Sequence, residues 1–259
     1  MEIVGYSRKA PKILADLHTH SIFSLHAFGT VDENAKSAKQ NGMEFVGITD
    51  HYYQLGEPLL RKNEVCRMCD LRYVKPENGA TIIGGGEFNI AHKLADDIDT
   101  ERLYRDLHWR LIGLHNWFIN PKETDITMVP TLFGQSISLS QYVTPTAFAH
   151  IERSLREFKG SEDDDKVYSA LKEIVQIAIS NDIFLELNEQ SFKYGGENID
   201  FLKYWAGYAK INGAKFCLGT DSHSRDNIGV FTNVEQFILD NGLEKSYILN
   251  YDREALANL

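Results

Sequence analysis

The chain alternates short apolar runs, rich in β-branched residues, with longer stretches whose apolar residues recur at helical spacing. Ile13-Leu14-Ala15 forms the first run and leads into Asp16. Thr30-Val31-Asp32-Glu33 has the form of a capping box and predicts a helix as far as Gly42. A second strand is predicted within Glu44–Thr49, ending at Asp50-His51, and a third at Thr81-Ile82-Ile83, ending at Glu87. Arg110–Gly113 gives a fourth strand, ending at His115, and Ala147–Ala149 a short fifth, ending at His150. The acidic run Ser161–Asp165 reads as the start of a helix, where the helix dipole favours negative charge. That helix is predicted over Lys166–Ser180, with Val167, Leu171, Ile174, Val175 and Ala178 on one face. Ile183–Leu187 is a sixth strand reaching Asn188, followed by a helix over Leu202–Ile211. Lys215–Leu218 is a seventh strand, ending at Asp221 and His223, and a last helix covers Asn233–Asp240.

Strand and helix in alternation imply a parallel sheet or barrel. At 259 residues the chain fits one large domain, expected to span residues 1–259. The segments 52–78 and 120–144 are longer than ordinary connections, and long loops in such folds cover active sites.

The formal charge is −10, which argues against wrapping a long nucleic acid, since that needs a basic stripe. It leaves room for a small phosphate ester and for bound cations. No window reaches the roughly 18 consecutive apolar residues of a membrane span, and the first residues carry no apolar stretch of signal-peptide length. Cys66, Cys69 and Cys217 are an odd, sparse set, which points to reduced, inert thiols in the cytoplasm.

Chemistry concentrates at the strand ends. Asp16-Leu17-His18-Thr19-His20 is followed by His26, Asp50-His51, Glu87, His115, His150 and Asp221-Ser222-His223, so seven of the nine histidines fall in this set. On an extended strand, His18 and His20 point to the same side and suit one ion. The C-terminal ends of barrel strands converge on one face, so ligands scattered along the chain meet there. The expected result is a multinuclear metal site.

These pieces resemble, in order, the motifs of the PHP (polymerase and histidinol phosphatase) family. They are Asp16–His20, His26, Thr49-Asp50-His51, Gly86-Glu87, Gly113-Leu114-His115, Ala149-His150 and Gly219–His223. The resemblance implies a distorted (β/α)7 barrel, a TIM-like barrel of the PHP type, holding three divalent metal ions (Zn, Mn or Fe). It assigns His18, His20, Glu87 and Asp221 to one ion, with Glu87 bridging to a second held by His115 and His150, and His26, His51 and His223 to a third. The implied reaction is hydrolysis of a small phosphate monoester, such as histidinol phosphate, a sugar phosphate or a nucleotide, by metal-activated hydroxide. Asp221, His223 and Glu87 are then the catalytic candidates.

Asp16 and Asp50 are expected to orient imidazoles through their second nitrogens. Arg153 and Arg225 are candidate phosphate-binding cations. Tyr52, Tyr53 and Trp117 are candidates for the pocket mouth and Asn188 for a hydrogen bond in the site, whereas His92 and His108 match no family position. Two alternatives differ in kind: a metal-dependent amidohydrolase, for which the bridging lysine is missing, and a catalytically silent PHP module.

Overall fold

The computed structural model describes residues 12–52, 63, 66–90, 106–115, 124–137, 144–156, 158, 164–193 and 199–259. Seven strands form one sheet in chain order: β1 (Ala15–Thr19), β2 (Phe45–Ile48), β3 (Thr81–Asn89), β4 (Trp109–Gly113), β5 (Thr146–Phe148), β6 (Phe184–Asn188) and β7 (Phe216–Gly219). Every adjacent pair is parallel, with helices in the connections. The expected distorted (β/α)7 barrel is the observed fold.

The strands divide two apolar layers. An outer layer lies between sheet and helices. It includes Val167, Leu171, Ile174 and Val175 of the helix Asp164–Ser180, the face that the spacing predicts. An inner layer of Ala15, Leu17, Ile83, Trp109, Leu111, Ala147 and Cys217 fills the barrel, and Leu249 and Leu256 plug its lower end. The helix at Val31–Gln40 starts with the expected capping box between Thr30 and Glu33. The helix Val129–Ile137 lies within the stretch expected to be a long connection. Among the described residues no helix is long and apolar enough to cross a membrane.

Two strands run further than expected. β1 continues through Asp16 and His18 with all five residues buried. β3 runs on through Gly84-Gly85-Gly86 to Asn89, carrying Glu87 inside the strand. The glycines suit close approach here, since a Cβ at Gly85 would sit 2.6 Å from the Trp109 carbonyl oxygen of the neighbouring strand. At β7, a Cβ on Gly219 would collide with the Glu186 carboxylate and His18 Cβ, so its absence opens the space those groups occupy.

The seam between β1 and β7 is closed by side chains. Asn250, fully buried, donates from Nδ2 to the carbonyls of Ala15 (2.8 Å) and Leu218 (2.9 Å), and its Oδ1 accepts from the Leu218 N–H (2.7 Å). Higher up, Asp16 accepts from the Thr220 N–H (3.0 Å) and hydroxyl (2.6 Å), and from Gly229 N–H (2.9 Å). Burial pushes the Asp16 carboxyl up to about 6, and these donors oppose that rise. Asp16 therefore clasps the barrel and does not orient an imidazole, a correction to the sequence reading. At the rim, the Asp221 N–H donates to the His18 carbonyl (2.8 Å) and the His20 N–H to that of Ser222 (2.9 Å).

Replacing Asn250 with Ala leaves three buried backbone groups without these partners. At about 1–3 kcal/mol for each unmet group, a loss of roughly 3 kcal/mol or more is expected. A thermal melt showing an unchanged Tm would contradict this account of the seam.

Candidate metal centre

β1 supplies the first pair of candidate ligands. Its register with β2 shifts by one residue between Asp16 and Thr19. A shift of this kind re-aims side chains. His18 and His20 meet with their Nε2 atoms 3.0 Å apart, as expected of residues two apart on a strand.

Glu87 stands at the middle of the cluster, 2% exposed. Its Oε1 faces His150 Nε2 (2.9 Å) and His115 Nε2 (3.1 Å). Its Oε2 faces His51 Nδ1 (2.9 Å), His18 Nε2 (3.4 Å) and His20 Nε2 (3.5 Å). Asp221 closes the opposite side, with Oδ1 at 3.2 Å from His20 Nε2 and 3.5 Å from His18 Nε2. His150 and Asp221 both have left-handed backbones, at φ 33° and 52°, a strained conformation that accumulates at functional sites.

Several imidazoles have their outer nitrogen engaged, which leaves the inner one for a ligand bond. His18 Nδ1 meets Glu186 Oε1 (2.7 Å), His115 Nδ1 meets Asn89 Oδ1 (2.7 Å), and His20 Nδ1 meets Ser24 Oγ (2.9 Å). The Ser24 hydroxyl in turn donates to Asp50 (2.6 Å). Asp50 thus acts on an imidazole through Ser24 and not directly as expected.

Glu186 is absent from the sequence reading, although it is the side chain of β6 that reaches the cluster. Its Oε2 also accepts the His150 N–H (3.0 Å), so one carboxylate positions two candidate ligands. The signal was a lone acid between leucines in an apolar strand. Asn188, expected in the site, instead caps the short helix Glu189–Lys193 by accepting from the N–H groups of Gln190 (3.0 Å) and Ser191 (3.3 Å).

The other expected residues divide clearly. His51 and His223 join His20 in one group of converging ligand atoms, and three further groups share His18, His20, His51, Glu87, His115, His150 and Asp221. His26 is exposed and stacks its ring over His223 (4.4 Å between centroids) and His51 (5.2 Å), at the rim of that group. Arg153 reaches the site, with its guanidinium 2.9 Å from Asp221 Oδ2. Arg225 does not: it pairs with Glu33 on the outer helix (3.1 Å) and is more than half exposed, which corrects the sequence expectation. Tyr52 is buried and packs against Phe88. His108 is half-buried outside the cluster, as expected. Tyr53, His92 and Trp117 lie outside the described residues.

The donor set fits divalent cations. Burial works against charge here, yet neighbouring groups keep it. Against burial, His115, His18 and His51 hold the Glu87 carboxyl well below the usual range, and His18 and Arg153 do the same for Asp221. Against burial, Glu186, Glu87 and Asp221 raise His18 well above its ordinary value. Burial, helped by the Arg153 charge, lowers His150 to about 4 and keeps it neutral near pH 7. His223 Nε2 is buried without a hydrogen-bond partner, as a metal-directed atom would be. A cation shared by such groups would offset two buried carboxylates at once.

Comparison with known proteins gives a consistent result. Residues 16–190 match the model of the PHP domain. The chain is 28% identical over 241 residues to a probable phosphatase of Acetivibrio thermocellus, covering 92% of this chain and 91% of that one. It is 27% identical over 254 residues to a probable phosphatase of Clostridium acetobutylicum, covering 95% and 93%. The fold matches a histidinol phosphate phosphatase of Lactococcus lactis, solved with zinc, L-histidinol and phosphate, at TM-score 0.60 and 17% identity over 90% of this chain and 95% of that one.

Glu186→Gln removes the charge behind His18 while keeping the shape. Affinity for Zn²⁺, measured by competition with a chelating dye, should fall by about 10- to 100-fold with the fold intact. Unchanged affinity would show that Glu186 does not position these imidazoles.

Proposed function

Since the chain belongs to the PHP family, we propose that this phosphatase hydrolyses a small phosphate monoester at a centre of three divalent cations. The observation that carries the reading is Glu87, whose two oxygens face separate sets of imidazoles. One carboxylate so placed suits a bridge between two ions. The third position would be the corner of His20, His51 and His223, with His26 beside it. Imidazoles with carboxylates suit Zn, Mn or Fe.

When bound, such cations supply an activated water and positive charge for the phosphoryl oxygens. The chain's own groups do the rest. Glu87 and Asp221 keep the cluster anionic, and Glu186, Asn89 and Ser24 hold three imidazoles in orientation. Arg153 binds Asp221 through one guanidinium nitrogen, and its remaining donors suit a phosphate oxygen. Asp221 serves as ligand and not as proton donor, since its neighbours hold it ionised. His223, with its side chain 25% exposed, is the residue this reading assigns to the leaving-group side.

The matched region ends at residue 190, yet β7 completes the sheet and Asp221 completes the cluster. We therefore read residues 1–259 as one domain. The odd, sparse set of Cys66, Cys69 and Cys217 favours a cytoplasmic setting.

Elemental analysis of metal-loaded protein should find close to three divalent ions per chain. His18→Ala and Asp221→Ala should each lose bound metal together with at least a hundredfold of phosphate release from a metabolite panel. Wild-type turnover in either variant would overturn the proposal. Arg153→Ala should raise KM for the ester and leave metal content unchanged; an unaltered KM would remove Arg153 from substrate binding.

A further inference from the structure

One hydroxyl stands between two of the candidate ligands. The chain leaves β1 into a 3-10 turn, Ile22–Ser24, and reverses directly after it. Leu25 makes that reversal with a left-handed backbone (φ 66°) and is 72% exposed. A bulky residue in that conformation is strained, and here it gains nothing from burial. What the turn secures is Ser24, fully buried beside His20.

A single proton decides the direction of each bond around Ser24. Asp50 Oδ1 accepts the Ser21 N–H (2.7 Å) and the Ser24 hydroxyl (2.6 Å), and Oδ2 accepts the Ser21 hydroxyl (2.7 Å). A carboxylate only accepts, so the proton of Ser24 is committed to Asp50. The Ser24 oxygen keeps two lone pairs. The His51 N–H meets it at 3.1 Å and His20 Nδ1 at 2.9 Å. With no proton left to give, Ser24 accepts from His20, and the proton of that bond belongs to Nδ1. A neutral imidazole carries one N–H, so Nε2 is the bare nitrogen. That atom is the one turned towards His18, Glu87 and Asp221.

The neighbouring imidazoles have simpler partners. The Glu186 carboxylate and the Asn89 carbonyl oxygen accept from His18 and His115, and neither atom has a proton to donate. A serine hydroxyl donates as readily as it accepts. A bond donated by Ser24 would move the His20 proton to Nε2, where it blocks a metal bond. Asp50 removes that option by taking the hydroxyl proton itself.

We propose that Ser24 is a positioning residue that holds the proton of His20 on Nδ1, and that Asp50 sets the direction in which it acts. The same oxygen fixes the His51 backbone, so one hydroxyl serves residues from two of the converging ligand groups. The inference rests on the metal-centre reading and adds to it the residue that makes His20 a ligand.

The test reads the tautomer itself. Metal-free protein labelled with ¹⁵N-histidine is studied by long-range ¹H–¹⁵N spectra, assigned against His20→Gln. His20 should be protonated at Nδ1 and bare at Nε2. In Ser24→Ala the Nε2–H form should appear, and affinity for Zn²⁺, by competition with a chelating dye, should fall about 10- to 100-fold. Asp50→Ala keeps the Ser24 hydroxyl but releases its proton, so it should give the same two changes. Asp50→Asn, whose amide oxygen can stand where Oδ1 stands, should recover most of the affinity and the Nδ1–H form. An Nε2–H tautomer in the wild-type protein would overturn the assignment, as would wild-type Zn²⁺ affinity in folded Ser24→Ala, or equal losses in the two Asp50 variants with Nδ1–H retained. If the wild-type protein shows Nδ1–H but binds no Zn²⁺, the metal-centre reading fails and the proton placement stands.

Discussion

A buried carboxylate shared between two groups of imidazoles is the constraint on which the structure depends. Glu87 is inside the barrel, where an unpaired charge is expensive, and it remains ionised because His115, His18 and His51 surround it. Asp221 adds a second anion a few ångströms away, against His18 and His20. Two buried anions and a ring of imidazoles form a donor set that divalent cations fit. The fold brings these groups to one place, and the metal chemistry follows from that placement.

The barrel meets this demand with a rigid support. Glu186 joins His18 to the backbone of His150, and Gln190 holds the carbonyl of Asp221, so residues from the β6 region steady both candidate ligands with left-handed backbones. The seam where β1 meets β7 is also where three candidate ligands lie, His18, His20 and Asp221. Asn250 and Asp16 close that seam with hydrogen bonds from side chains, so the stability of the barrel and the geometry of the centre share the same joints.

Much of this was legible in the sequence, for a physical reason. Strands leave a period and an apolar run, and ligands leave histidines at strand ends. The parallel order and the gathering of His18, His20, Glu87, His115, His150 and Asp221 follow from those two patterns. Residues that act through another group leave weaker traces. Glu186 is one acid in an apolar strand, and Asn89 follows a glycine-rich stretch that reads as a break. Arg225 misled because nearness to His223 along the chain does not fix the side on which a guanidinium lies, and Glu33 draws it outward. Asp16 misled because the same short side chain can serve a backbone clasp or an imidazole, and only the position of Thr220 and Gly229 decides.

The most direct measurement is anomalous X-ray diffraction from crystals of metal-loaded protein, collected at the absorption edge of the bound metal. The account predicts separate peaks on the two sides of the Glu87 carboxylate, one near His115 and His150 and one near His18, His20 and Asp221. A single peak touching only one oxygen of Glu87, or peaks remote from it, would contradict the account.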